Sequence, residues 1–491
     1  MSGTRLALYV LLALLAGCAG IRPPAGTEAG ACLRWYADLD SAIESEGVRD
    51  AQETRVAGFP YLRVDRFHAS LRQRAAASPA AFDAYADALL ELDLRARRFE
   101  IRNLRKPPWP PQEADRRTME CGRLLRDVDL AAPERRAELL GRAQVPDDYS
   151  ALARGLGLYA LTRNLFASGV RRWESETRAA FQAGPSAPQG ATRIRYAPPA
   201  GAPLSRSQVA ELLSRALSDP LGRVNLSAEE RMQLAALYAP SFDIAVRGDA
   251  DRFGALRWLR GSETPQVDAA QVVAYVSTSY TRYGRAGRER NLLQLVYTIW
   301  FAERPPFEEG DLYSGRLDGL VWRVTLAPDG EPLVYDSIHP CGCYHQFFPT
   351  PRAAPRPAPD PVDEWAFVPG TLGRVGDGER PRVRVTSGTH YIDGVEIVKG
   401  ADSLVRYAFA DYDELRSLRR MDGGFRSAFG PDGLIAGTER GERFLFWPMG
   451  IASAGAMRQA GRQPTAFVGR RHFDDADLIE RRFDLDLGAG P

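Results

Sequence analysis

The sequence predicts an α+β protein, with a helical N-terminal region followed by a mixed, largely antiparallel β-rich C-terminal domain. Three observations carry this. Up to about residue 182 the apolar residues recur at helical spacing. Beyond Ala239 they come instead in alternating, aromatic and β-branched runs. Strands and helices do not alternate regularly, which argues against a doubly wound parallel sheet. A chain of 491 residues suits two or three domains.

The helical region covers residues 32–182. Ser78-Pro79 reads as an N-cap and first-turn pair. Phe82, Tyr85, Leu89, Leu92 and Phe99 follow at helical spacing, and the prolines from Pro107 to Pro111 stop the helix. Further helices are expected over 114–128, 133–143 and 147–181. Residues 183–203, rich in Ala, Pro and Gly, read as a linker. A helical segment follows over 204–238, its last helix opened by the capping box Ser227-Ala228-Glu229-Glu230. The α+β domain then spans 239–491. Its expected strands are Val272 to Tyr283, Leu292 to Phe301, Gly319 to Leu326 and Pro332 to Ile338. Pro328-Asp329-Gly330 joins the last two as a hairpin turn. Arg382 to Thr386 and His390 to Val398 form another expected pair. Phe444 to Trp447 reads as a short strand and Asp474 to Arg482 as a terminal helix.

The 64 basic residues balance 63 acidic ones, for a net charge of +1, which leaves no electrostatic footprint for nucleic acid. The P-loop, the G-x-S-x-G elbow and H-E-x-x-H are missing from the sequence, and the loose G-x-G-x-x-A match at Gly155–Ala160 lies inside a helical pattern with no strand before it, so it is not a dinucleotide-binding loop.

The N-terminus carries an address. Arg5 precedes an apolar run from Leu6 to Ala16. That run is too short to span a bilayer, which takes about 20 residues, but it suits a signal-peptide core. It ends in Leu15-Ala16-Gly17-Cys18, which resembles the lipobox of bacterial lipoproteins. The resemblance implies that residues 1–18 include a signal peptide cleaved before Cys18, and that Cys18 carries acyl chains. Residues 19–31 would be a tether, and Ala19 after the cysteine favours the outer membrane, with the body facing the periplasm. The expected partner is therefore a membrane, held through a lipid anchor.

With Cys18 assigned to lipid, Cys32 and Cys121 remain in the helical region. They are expected to form a disulfide, the alternative being two buried thiols. Cys341 and Cys343 fall in the stretch His339-Pro340-Cys341-Gly342-Cys343-Tyr344-His345, where four metal-type donors recur at every second position. A single extended strand would hold such donors about 6.5–7 Å apart, too far to share one tetrahedral ion. The chain would have to bend at Pro340 or Gly342. With His390 as a further ligand, the expected group is zinc or copper. Two readings compete with that one: a tight Cys341–Cys343 disulfide or redox pair, and a plain structural turn. The functional expectation is thus a lipid-anchored envelope protein that binds metal through His339, Cys341, Cys343, His345 and His390. Its alternatives are a non-enzymatic scaffold or binding lipoprotein stapled by Cys341–Cys343, and a thiol-redox protein.

Overall fold

The computed structural model describes residues 26–184, 190–200, 204–284, 289–400 and 405–488. The signal-peptide core, Cys18 and most of the tether lie outside these residues, as do 185–189 and 201–203 of the expected linker. Over the described residues the chain is α+β, as its two apolar patterns predict.

The N-terminal region opens with α1 (Glu28–Glu46), β1 (Thr54–Val56), β2 (Phe59–Val64), α2 (Arg66–Ser70) and α3 (Arg72–Ala75). There follow α4 (Pro79–Asn103), α5 (Pro111–Asp129) and α6 (Pro133–Arg142). Tyr36, Leu39, Tyr61, Tyr85, Leu89 and Leu125 meet in one core among them. Ser78 caps α4 by accepting from the Ala81 amide at 3.1 Å. Cys32 on α1 and Cys121 on α5 form the expected disulfide, 89 residues apart in sequence. A loop of that length removes about 4–5 kcal/mol of unfolded-state chain entropy. The expected helical run is interrupted by the β1–β2 hairpin. Gly58 supplies its turn at φ +83°, and buried Arg63 pins β2 to α4 through Asp93 and Glu100, at 3.1 and 2.7 Å.

A single helix over 147–181 was expected, but two form: α7 (Ala151–Leu156) and α8 (Tyr159–Ala183). The break is at Gly157, packed against Pro448, and at Leu158, whose φ is +49°.

Next come β3 (Thr192–Ala197), α9 (Arg206–Ser214) and α10 (Ala228–Tyr238), the last opened by the expected Ser227 and Glu230 capping box. The β region holds β4 (Ser241–Val246), β5 (Phe253–Arg257), β6 (Gln266–Asp268), β7 (Val273–Tyr283) and β8 (Arg290–Arg304). It continues with β9 (Gly315–Leu326), β10 (Pro332–Ile338), β11 (Gln346–Pro349) and β12 (Ala353–Pro355). Then come β13 (Glu379–Val385), β14 (Ile392–Lys399), β15 (Val405–Arg406) and β16 (Ala408–Asp411). Near the C-terminus are α11 (Arg443–Phe446), where a strand was expected, and α12 (Leu478–Arg482).

The larger sheet runs β11-β10-β9-β8-β7-β16, and β5 with β6 extends it at the far end of β8. Its pairs are antiparallel except β16 with β7. The smaller sheet runs β14-β13-β4-β3-β15. A shared core lies between the two sheets, and the period of two along β8 shows how it is built. Leu293, Leu295, Tyr297, Ile299 and Phe301 enter that core. Val296, Thr298 and Trp300 face the other way, toward the N-terminal region. A buried ion network joins the two regions: Arg416 reaches Asp50 at 2.9 Å and Glu53 at 2.7 Å.

Candidate functional site

The stretch from His339 to His345 does bend. It is the loop between β10 and β11, with Gly342 at φ +95° and the His339 amide donating to the Cys343 carbonyl at 3.0 Å. The bend nevertheless separates the expected donors. Ser337 pairs with Gln346 across the hairpin, so His345 falls opposite Ile338 and His339 falls beside Tyr344, with ring centroids 4.9 Å apart. Cross-strand neighbours share a face, so His339 and His345 project from opposite faces of the sheet.

Each of these histidines is committed to a buried carboxylate. His345 Nε2 lies 2.9 Å from Asp336, which also accepts two bonds from Arg323. Burial pushes the His345 pKa down to about 3, so the ring is neutral. His339 and His390 each place Nδ1 against Asp318, at 3.0 and 2.9 Å. Cys341 and Cys343 are buried free thiols, the Cys343 amide donating to Cys341 Sγ at 3.4 Å. The hydrogen bond to Cys341, and then burial, raise the Cys343 pKa, so its thiol stays protonated and unreactive. Among the described residues no group of three or more His, Cys, Asp or Glu is arranged to hold a metal ion. The expectation of zinc or copper on His339, Cys341, Cys343, His345 and His390 is therefore corrected. So is the local Cys341–Cys343 staple, which is not formed. Even spacing put the donors on one face of an imagined single strand, and the hairpin register divides them.

What forms instead is a closed cluster around Asp318. Arg440 approaches this carboxylate at 3.4 Å, and Asp251 stands 3.4 Å from His390 Nε2. Asp318, His339, His390 and Arg440 are all 2% exposed or less. Burial alone would raise the Asp318 pKa, but His339 and Arg440 hold it well below the usual carboxylate range. Burial lowers the His339 pKa despite Asp318. At His390 the two carboxylates outweigh burial and raise the pKa. Leu317, Tyr344 and His390 have φ of +53°, +61° and +54°, a backbone state costing of order 1–3 kcal/mol each. His390 also stacks on Phe301 with centroids 3.9 Å apart. The cluster is charge-balanced and locked, suited to holding strand ends in place.

The opposite face of the same sheet is open. A cleft of about 490 Å³ lies between it, the N-terminal helices and the C-terminal loops. Ser277, Ser279, Thr298, Trp300 and Arg323 form its floor; Phe67, His68 and Arg95 form one wall, and Arg458, Gln463 and Phe473 another. Asp65 accepts the His68 amide and lies 2.8 Å from His68 Nδ1, which leaves the other ring nitrogen unengaged. Buried His68 Nε2, Trp300 Nε1, Arg458 Nε, Arg231 Nε and Gln52 Oε1 have no hydrogen-bond partner among the described residues. Every one of these five residues lines the cleft. Such orphaned groups are uncommon in protein interiors, and each calls for a reason.

Sequence reasoning missed this site. Its residues run from Gln52 to Asp474, and no local motif joins them. The available signal was Thr298, a polar even position within the largely apolar run from Leu292 to Phe301. His472 lies 3.5 Å from each of Asp147, Asp148 and Asp475, while Asp474 pairs with Arg66.

Compared with protein-family models, with curated proteins and with solved structures, the chain matches none.

Proposed function

We propose that this chain is a lipid-anchored cell-envelope binding protein whose cleft takes a neutral, polyhydroxylated ligand such as a small saccharide. The observation that carries this reading is the set of orphaned donors and acceptors lining one cavity. Its volume falls in the range of small-molecule sites, about 300–1,000 Å³. Charge selects the ligand class. The arginines at 95, 223, 231, 323 and 458 are met by Glu53, Asp65, Glu91, Asp411, Asp413 and Asp474. Several are already paired: Arg95 with Glu53 at 2.7 Å, and Arg231 with Asp411 at 2.6 Å. A lining with donors and acceptors in balance offers a charged solute little net attraction, yet it matches hydroxyl groups, which both give and accept. Phe67 and Tyr280, stacked 5.0 Å apart, supply an aromatic wall for the apolar face of a sugar ring.

The envelope location rests on the signal-peptide pattern and on Cys18 in its lipobox-like setting. Full-length protein produced in a bacterial host should carry acyl mass, and Cys18→Ser should lose it.

The cleft is tested by thermal melting of the chain from residue 19 in a series of neutral mono- and disaccharides at low millimolar concentration, below the range in which sugars stabilise every protein by exclusion from its surface. A ligand at a hundred times its Kd stabilises by about 2.7 kcal/mol. The rise in Tm should vanish in Trp300→Phe, which removes the orphaned indole N–H. It should persist in Trp322→Phe, whose equally orphaned N–H lies on the core side between Tyr335 and Phe348. If no sugar raises Tm, or if both variants respond alike, the reading fails.

A further inference from the structure

Outside the lining of the cleft, α7 and α8 present an apolar surface that the fold itself does not use. Leu152 and Leu156 sit one turn apart on α7, Leu161 and Leu165 one turn apart on α8, and Leu158 at the corner between them. All five are 61–73% exposed. Every exposed residue from Ala151 to Leu165 is uncharged: Arg154 is buried, and half-buried Arg163 is paired with Asp360 and Asp363. The surface continues onto α11 and the turn after it. The Ser150 amide donates to the Gly450 carbonyl at 2.8 Å, and Phe166 packs on Phe446 at 5.4 Å. These contacts bring exposed Phe444 and Trp447 to the same joint.

The corner is built at a cost. Leu158 is in the left-handed region, with φ +49°, which is unfavourable by about 1–2 kcal/mol for a residue with a Cβ. Glycine would relieve that strain, and asparagine would both tolerate it and suit solvent. A leucine held there and turned to water gains nothing inside the folded chain. A contiguous exposed apolar patch is the mark of a contact surface.

We propose that this helical corner seats on a lipid bilayer surface, with the leucines and Trp447 inserted at the depth of the headgroups. Chemistry favours a bilayer over a protein groove. The five leucines stand out as separate knobs, each more than three-fifths exposed. Trp447 adds an indole, the ring that prefers a membrane interface. Arg171 is exposed on α8 just past the apolar stretch, and the Arg443 guanidinium lies over the Phe444 ring at 4.7 Å. They place positive charge where lipid phosphates would lie. Among the described residues no helix is long and apolar enough to cross a membrane, so the contact is in-plane. Reach agrees with this. If Cys18 is acylated, the eight residues to Gly26 span at most about 28 Å, which keeps the body at the surface. Only this last point rests on the Cys18 reading.

The test uses the chain from residue 19, which has no acyl chain, floated with vesicles of equal parts phosphatidylethanolamine and phosphatidylglycerol. The protein should float with the vesicles. A variant carrying Leu152→Ser, Leu156→Ser, Leu161→Ser and Leu165→Ser should partition at least about a hundredfold less, since it loses four inserted side chains. Its thermal melt should match the parent, because the changed positions are exposed. Leu158→Gly should melt higher than the parent and bind vesicles more weakly. Failure of the parent to float overturns the proposal, as does equal flotation of parent and variant. A parent that self-associates in solution, with a monomeric serine variant, overturns it in favour of contact between copies. Failure of the anchor reading would appear elsewhere, as full-length protein without acyl mass.

Discussion

Asp318 and Arg323 lie on the same strand, β9, and face opposite sides of the sheet. On one side Asp318 gathers two imidazoles and a guanidinium into a cluster that is 2% exposed or less. On the other, Arg323 borders a cleft where eight lining residues carry buried polar atoms without a hydrogen-bond partner among the described residues. Both clusters contain histidine, arginine and carboxylate, so composition does not separate them. Access does: the Asp318 cluster is sealed from solvent, its own unpartnered atoms (His339 Nε2, His390 Nε2 and Arg440 Nε) included, whereas the unpartnered atoms on the other face line an open cleft. A sealed ionic cluster holds the fold together, while orphaned groups that line a cleft are open to a ligand. Substitutions should therefore act on stability at the first cluster and on binding at the second.

The largest effect is expected at the closed cluster. Asp318→Asn removes the carboxylate shared by His339, His390 and Arg440, and stranding buried charges of this kind costs about 3–5 kcal/mol. Urea unfolding would measure it, and a loss below about 1 kcal/mol would break the contrast with the cleft. Glu442, buried near Arg440, comes next. Burial pushes its pKa from 4.5 up to about 7, so the folded chain keeps a proton that the unfolded chain releases. Its stabilising contribution is present below about pH 4.5 and lost as pH rises through about 7. Glu442→Gln cannot ionise, and so should gain on the parent by roughly 3 kcal/mol across that window.

His345, on the cleft face, has the opposite sign. Its folded pKa of about 3 lies below the 6.5 of the free ring, so between these values the unfolded chain binds the extra proton. Its contribution is complete above about pH 6.5 and falls with acidification by about 1.4 kcal/mol per pH unit. Unfolding of His345→Gln, followed between pH 6 and pH 4, should be flatter than the parent by about that slope. Equal slopes would show that the ring titrates normally. The smallest effect on stability is expected in the cleft. Trp300→Phe keeps an aromatic side chain, removes an orphaned donor and trims a buried indole to a phenyl, so stability should fall by no more than about 2 kcal/mol while saccharide binding is lost. A loss of several kcal/mol would mean that the indole N–H serves the fold, and the cleft would then resemble the closed cluster.

Several features were legible in the sequence because they are local. The Ser78 and Ser227 caps, the turn at Pro328-Asp329-Gly330 and the strands around it depend on a few neighbouring residues each. The Cys32–Cys121 bridge was also within reach, since these are the two cysteines that fall in the helical region. The β1–β2 hairpin and the break at Leu158 were not legible. The first is stabilised by Arg63 reaching Asp93 and Glu100 on another element, and the second by Gly157 packed against Pro448.

The sequence by itself determined the α+β class, the positions of most elements and the concentration of rare donors between His339 and His345, because caps, turns and apolar periods act over a few residues. The tertiary structure alone decided what those donors do. A hairpin register one residue different would reverse which face each histidine takes, and register is set by long-range strand pairing. The same pairing brought Gln52, His68, Trp300 and Arg458 to one cleft, across a sequence span that no local spacing rule connects.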